Sequence, residues 1–342
     1  MTGTMRAAVL YGAEDLRIDE RPVPRPEAGE ALVAVETVGL CGSDLHYYLD
    51  GRNGTNQVRG PVVLGHEVGG RVADLGPGAP EDLAGARVVV EPAVPCRTCA
   101  ACVSGRYNLC PHTACLGSPP TDGGLAEYLR VPAVQLHRVP DDLPRRAVPL
   151  LEPLAVAVHA LRRAAFVPGQ SVLVTGAGPI GLLVAQVARS WGAAEVTVSD
   201  IDADRLTAAR ALGVSRTATP AELDGLRVAR SLECSGAPAA LPGLLAATEP
   251  GGRAVLVGTL QGGEVPAPLG LVQRYEIDLV GTFRYAAGFP PAVDLVRRGA
   301  VDLTALVTAG FSLDEADRAF RHAAGGAGLK TTIDCTRRGN RS

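Results

Sequence analysis

The chain is almost without lysine: of 33 basic residues only Lys330 is one, and the other 32 are arginines. Those arginines are scattered, and with a formal net charge of −3 they form no stripe that would mark a nucleic-acid or anionic-membrane surface. Aromatic residues are scarce as well, at 4%, which argues against a stacking platform for single-stranded nucleic acid. Long apolar runs are missing, and none approaches the roughly 18 residues that a membrane-spanning helix needs. Met1 to Leu10 lacks the basic-then-apolar order of a secretory signal. These absences set the expectation of a cytoplasmic protein with a small-molecule partner, with no nucleic acid and no membrane. A hydrophobic fraction of 46% excludes disorder over most of the chain. At roughly 150 residues per domain, 342 residues suggest two domains.

What is present changes character along the chain. The first 150 residues carry short β-branched runs, Ala31–Val35 and Arg87–Val90, between glycine and proline turns such as Gly76-Pro77-Gly78. They read as a distorted barrel or sandwich. From Leu151 to Arg163 apolar residues recur at helical spacing. Strand and helix patterns then alternate: Ser171–Thr175, Ile180–Ser190, Glu195–Ser199 and Asp202–Leu212, with later strands at Arg230–Glu233, Ala254–Val257 and Asp278–Val280. That alternation implies a doubly wound parallel sheet with helices on both faces. The α/β chain is therefore expected to hold a β-rich domain over 1–151 and 283–342 and a dinucleotide-binding domain over 152–282.

The dinucleotide assignment rests on Gly176-Ala-Gly178-Pro179-Ile180-Gly181, which follows a strand and opens a helix, with Asp200 ending the next strand 19 residues after Gly181. Gly176 makes the turn, Gly178 lets the backbone approach a pyrophosphate and Gly181 allows close helix packing, while the helix N-terminus favours the phosphates. A carboxylate at Asp200 accepts from ribose hydroxyls and repels a 2′-phosphate, so NAD is favoured over NADP. Arg205 stands close enough to weaken that repulsion, and capping of the following helix is the plainer role for Asp200.

Eight cysteines occur, and four of them, Cys96, Cys99, Cys102 and Cys110, fall within fifteen residues. In a long chain this spacing argues for metal rather than disulfides. Four thiolates close around one tetrahedral zinc with no position left for substrate, and a surface lobe over 95–111 follows, an iron–sulfur cluster being the alternative. Cys115, Cys234 and Cys335 read as buried free thiols. Separately, Cys41-Gly-Ser43-Asp44-Leu-His46 is followed, 25 residues after Cys41, by His66-Glu67, both in segments that read as loops beside strands. Glu152, in the apolar stretch Leu151-Glu-Pro-Leu154, needs a partner if buried.

These segments, with Pro61–Glu67, Gly105–Pro111, Glu152–His159 and Gly281-Thr-Phe283-Arg284-Tyr285, make the chain resemble zinc-dependent medium-chain dehydrogenases, in the sorbitol (L-iditol), xylitol and L-idonate dehydrogenase branch. The resemblance runs from about residue 5 to 335. It implies a GroES-like catalytic domain beside a Rossmann domain, and a catalytic zinc on Cys41, His66 and Glu67 with water or Glu152 in the remaining position. It implies a hydride transfer from a secondary alcohol to NAD, with Ser43, His46 or a water held by Glu152 relaying the proton. It carries Pro179, Ile180, Gly258 and Phe283 over as cofactor contacts, and Tyr47, Arg284 and Tyr285 as substrate contacts. Arg284 suits either neighbouring hydroxyls of a neutral polyol or the carboxylate of L-idonate, so sugar-alcohol and sugar-acid oxidation both remain open, as does a related secondary-alcohol or amino-polyol dehydrogenase. A homotetramer or homodimer is implied by the resemblance alone.

Overall fold

The structure, a computed structural model, describes residues 3–260 and 264–336. The chain folds as two units, one of Met1–Glu152 with Leu303–Ser342 and a second of Pro153–Asp302.

In the first unit the central strand is β1 (Glu30–Gly39), whose Leu32, Val33, Val35 and Val38 are buried. It runs straight into α1 (Gly42–Asp50). The next strands of the same sheet are β2 (Glu67–Leu75), β3 (Arg87–Val90), β4 (Tyr128–Pro132) and β5 (Leu136–Arg138). Helix α2 (Leu151–Arg163) follows.

The second unit alternates strand and helix: β6 (Ser171–Thr175), α3 (Pro179–Ser190), β7 (Glu195–Ser199), α4 (Ala203–Ala211), β8 (Arg216–Ala218), β9 (Val228–Glu233), β10 (Thr248–Leu256), β11 (Asp278–Gly281) and α5 (Phe289–Arg297). Its six strands pair in parallel in the order β8-β7-β6-β9-β10-β11. This is the doubly wound order in which the sheet reverses direction beside its first strand, the place where such folds bind dinucleotides. Val172, Leu173 and Val174 are fully buried because helices cover both faces. Each such side chain contributes about 1.5–3 kcal/mol over its exposed state.

The chain then returns to the first unit through β12 (Val307–Ser312), α6 (Ala316–Ala324) and β13 (Lys330–Asp334). β13 pairs antiparallel with the last residues of β1, completing a sheet ordered β5-β3-β2-β1-β13-β12, with β4 also on β1. The return falls at Leu303 rather than at the expected Phe283. The reason is α5, which buries Phe289, Ala292, Val293 and Leu295 in the second unit, together with Asp302, whose N–H donates to Gln186 Oε1 at 2.7 Å. Among the described residues no helix is long and apolar enough to cross a membrane.

Candidate functional site

Strand register brings the first site together. Gly39, near the end of β1, pairs with Glu67 at the start of β2 and with Thr332 in β13. Cys41 lies two residues past Gly39, His66 one before Glu67, and Lys330 opens β13, so all four reach the same end of the sheet. The Cys41 Sγ, one ring nitrogen of His66 and one carboxylate oxygen of Glu67 lie within 4.8 Å of one another. Glu67 is fully buried and its Oε2 has no hydrogen-bond partner among the described residues. A buried carboxylate oxygen left so is costly unless a cation meets it. A Cβ on Gly39 would sit 2.1 Å from that oxygen, so only glycine leaves the carboxylate its place. A soft thiolate, an imidazole and a carboxylate are the mixed donor set of an exchangeable zinc site, and these residues fit that ion.

Asp44 supports the trio. It is buried, and its carboxylate accepts from the N–H groups of Cys41 at 3.0 Å and Gly65 at 3.2 Å. Its Oδ1 lies 3.4 Å from His66 Nδ1, which leaves Nε2 as the ring's metal-facing atom. Burial alone would raise the Asp44 pKa, but His66 and the two N–H groups outweigh it and lower it.

Lys330, only 5% exposed, donates from Nζ to Glu67 Oε1 at 2.5 Å and to the Leu40 carbonyl at 2.9 Å. Burial opposes its charge, but Glu67, Cys41 and Glu152 outweigh burial and raise its pKa above the ordinary lysine value. Glu152 is itself buried at the start of α2. Its carboxylate is not one of the three donors that converge, so of its two expected roles direct ligation is not what the geometry displays.

Of the other expected residues, Ser43 is half-buried in the first turn of α1, and His46, one turn on, is 37% exposed with Nδ1 3.5 Å from Asp50 Oδ2. Tyr47 is buried and its hydroxyl accepts from Asn56 Nδ2 at 3.0 Å. Helix α1 is anchored by the neighbouring Tyr48, whose hydroxyl donates to Asp317 of α6 at 2.7 Å.

The second cluster is the lobe of Cys96, Cys99, Cys102 and Cys110, whose four Sγ atoms also lie within 4.8 Å. All are free thiols, with Cys99–Cys102 and Cys110–Cys96 separations of 3.5 Å. The N–H groups of Cys96 and Cys99 point at sulfurs of the cluster, each at 3.4 Å. Hydrogen bonds from Thr98, then from Cys99, pull the Cys96 thiol down to about 5, while burial, then Cys99 and Cys110, push that of Cys102 up to about 12. Cys335 is fully buried, while Cys115 and Cys234 are partly so.

In the second unit each motif glycine has its own reason. Gly176 has φ +95° and a Cβ there would strike the Ser235 nitrogen at 2.7 Å; Gly181 would place one 1.8 Å from the Gly176 carbonyl. Gly178 is the N-cap of α3, followed by Pro179, and has open space around its missing Cβ, as close approach of a pyrophosphate requires. Ile180 stands half-buried beside it in the first turn. Gly258 lies against Gly236 and the Glu233 carboxylate, where a Cβ would clash at 2.3 Å.

Asp200 accepts from the N–H of Ala177 at 2.6 Å and of Asp202 at 2.9 Å. The cap of α4 is Asp202, not Asp200. Arg205 Nε lies 3.7 Å from Asp202 Oδ2, so its charge is already partly matched.

The loop after β11 is strained: Arg284 has φ +49° and Ala287 φ +50°. The last turns of α2 hold it. Arg163 donates to the Gly281 carbonyl at 3.0 Å, Arg162 to the Ala287 carbonyl at 2.9 Å, and His159 Nδ1 accepts from the Ala286 N–H at 3.5 Å. Burial, then Arg163 and Arg162, push the His159 pKa down to about 4, so the ring stays neutral and able to accept. Phe283 is 53% exposed with the Arg284 guanidinium 4.9 Å over its ring. Tyr285 is buried edge-on against Phe289, which leaves Arg284 as the charged group of the pair.

The sequence alone assigns no role to Asp44, Lys330 or His159. The signal for Lys330 was its solitude among 32 arginines; those for Asp44 and His159 lay inside the motif segments that carry the resemblance.

A GroES-like unit holding a Cys-His-Glu trio and a four-cysteine lobe, joined in one chain to a Rossmann unit, defines an alcohol-type oxidoreductase. Residues 27–141 match the family described as "Alcohol dehydrogenase GroES-like domain" and residues 179–298 the family described as "Zinc-binding dehydrogenase". The chain belongs to the zinc-dependent medium-chain dehydrogenases, in the branch of the sorbitol dehydrogenases. It is 38% identical to sorbitol dehydrogenase of Gallus gallus over 98% of this chain and 97% of that one. It is 36% identical to sorbitol dehydrogenase of Bacillus subtilis over 93% of each. Among solved structures, L-idonate 5-dehydrogenase of Escherichia coli superposes with a TM-score of 0.92 at 29% identity, covering 98% of this chain and 99% of that one.

Proposed function

We propose that this chain oxidises a secondary alcohol of a sugar alcohol to the ketose with NAD, and catalyses the reverse reduction. The observation that carries the reading is the buried Glu67 Oε2 without a partner beside Cys41 and His66. Zinc held by these three residues supplies the Lewis acidity that makes a hydroxyl acidic near neutrality. The four-cysteine lobe holds a second, structural zinc.

The chain's own residues do the rest. Asp44 fixes the His66 ring. Glu152, buried outside the trio, holds solvent at the substrate position and steadies the leaving proton. Ser43 and His46, three apart on α1, share a face, and His46 passes the proton outward through its exposed edge. Gly176, Gly178, Gly181, Pro179 and Ile180 cradle the pyrophosphate; Asp200 takes the ribose hydroxyls; Gly258 and Phe283 complete the cofactor side. Overall the carbinol loses a hydride to NAD and a proton to water. Tyr47, Arg284 and Tyr285 are the residues that the resemblance assigns to the polyol. A homodimer or homotetramer in the cytoplasm is part of the proposal, with β11 at the edge of the parallel sheet as the surface for the second copy.

The alternative is a sugar acid such as L-idonate, favoured by the Arg284 guanidinium. Initial rates with NAD on sorbitol, xylitol, L-iditol and L-idonate decide between them. Activity confined to the neutral polyols is expected; a preference for L-idonate would assign Arg284 to a carboxylate, and no activity on any of the four would remove both readings.

Asp200→Ala should lower the preference for NAD over NADP by about tenfold to hundredfold, the worth of a hydrogen bond to a charged group. Comparison of kcat/KM for the two cofactors measures it. A wild-type enzyme already more efficient with NADP would refute the charge argument.

A further inference from the structure

Lys330 does more than fill a hole in the core. It is the only lysine of the chain, it is buried, and its ammonium spends two of its donors on Glu67 Oε1 and the Leu40 carbonyl. Thus the two oxygens of one fully buried carboxylate are divided: Oε1 belongs to a fixed cation, and Oε2 has no hydrogen-bond partner among the described residues.

We infer that Lys330 is a positioning residue that restricts Glu67 to a one-oxygen hold on the metal and keeps that hold loose, because ammonium and metal compete for the same carboxylate. The inference rests on the assignment of Cys41, His66 and Glu67 as the zinc ligands.

The charges explain why such a restraint is useful. A Cys41 thiolate, Glu67 and nearby Glu152 place three negative charges around a dication, one more than it can neutralise. Donors of that kind press electron density onto the ion and weaken it as a Lewis acid. Lys330 draws on Glu67 from the opposite side and brings the group to neutrality. It also blocks the simplest way for Glu67 to overdonate, a bidentate grip through both oxygens. The backbone reinforces this: the strand pairing of Gly39 with both Glu67 and Thr332 sets β1 between the two side chains' strands, and the Leu40 carbonyl fixes the ammonium.

The sign of the effect separates this role from a merely structural one. If Lys330 only supports the pocket, its loss loosens the site and zinc leaves faster. If it competes with the metal, its loss frees Oε1, removes a nearby like charge and slows zinc release, while the zinc-free protein becomes less stable because Glu67 is left buried and unpaired.

The test is the rate at which a chromogenic chelator takes zinc from the purified enzyme, with the four-cysteine zinc as internal control. In Lys330→Met the faster-released zinc should leave about tenfold more slowly than in the wild type. Zinc should also raise its melting temperature by more than in the wild type. Lys330→Arg should restore the wild-type rate. Faster release in Lys330→Met would overturn the inference.

Should Lys330→Met not fold, wild-type enzyme labelled with 15N-lysine gives a single ammonium signal. That signal should persist with and without the exchangeable zinc and shift between the two states. An unshifted signal would overturn the inference. A zinc content that Cys41→Ala leaves unchanged would instead overturn the ligand assignment, and the inference with it.

Discussion

Cys41→Ala should bind one zinc ion per chain where the wild type binds two, and should lose at least about a thousandfold in turnover, the scale of removing a main electrostatic element from an active site. Cys41 is the right ligand to remove. It is half-buried, at the start of α1, and its loss leaves the buried Glu67–Lys330 ion pair intact. Glu67→Ala, by contrast, would leave the Lys330 ammonium buried without its carboxylate, and breaking such a pair costs about 3–5 kcal/mol, so unfolding would be mixed with loss of metal. Elemental analysis, a melting curve and turnover at saturating NAD and polyol separate the effects. The expected combination is one zinc, a single cooperative melting curve matching that of wild type stripped of its exchangeable zinc, and at least about a thousandfold less turnover. Two retained zinc ions would mean that the trio is not the catalytic site.

The second unit was legible in the sequence because its information is local. The strands at Ser171–Thr175 and Glu195–Ser199 and the helix Leu151–Arg163 have the bounds their apolar periodicity indicates. In a doubly wound sheet, alternation of strand and helix and the glycine turn after β6 are enough to set the topology. The first unit is different. Its central strand pairs with β2 nearby, but also with β13, which lies almost three hundred residues further on. No local pattern announces that pairing, and it is the one that delivers Lys330 to Glu67.

The same reasoning separates the ligand residues from their supports. Cysteines at close spacing and a His-Glu pair stand out by type. Asp44 is one carboxylate among 36 acidic residues; only the fold turns it toward His66. The boundary near Phe283 fails for a related reason. The segment after β11 drops the strand–helix rhythm, yet α5 still has an apolar face that the second unit covers.

Cys110→Ser should release the structural zinc and unfold the lobe alone, with the catalytic zinc and the two sheets intact. The lobe has almost no core of its own. Its short helix Ala100–Val103 buries no residue, Tyr107–Leu109 buries only Asn108, and Val103 and Leu109 are 77% and 42% exposed. Side chains tie it to the rest of the unit through hydrogen bonds such as Tyr107 hydroxyl to Glu91 Oε1 at 2.8 Å and Arg97 to Gln135 Oε1 at 3.0 Å. Such a bond contributes about 0.5–1.5 kcal/mol, against the roughly 10–16 kcal/mol of zinc binding to four such ligands in small peptides. Metal, not packing, therefore holds residues 96–110 in place. Hydrogen exchange should show the amides of this segment losing protection by at least about a thousandfold, or roughly 4 kcal/mol, while β1, β2 and the parallel sheet keep theirs. A simpler readout is trypsin, since Arg97 and Arg106 are exposed within the lobe and become cleavable once its backbone is free. Zinc content should fall from two to one, and turnover measured below the melting temperature should persist, because Cys41, His66 and Glu67 are set by β1 and β2 and not by the lobe. Loss of protection throughout the first unit would instead mean that the lobe's metal stabilises the whole unit, so that Glu91, which Tyr107 and His137 both grip at 2.8 Å, carries the coupling into β5.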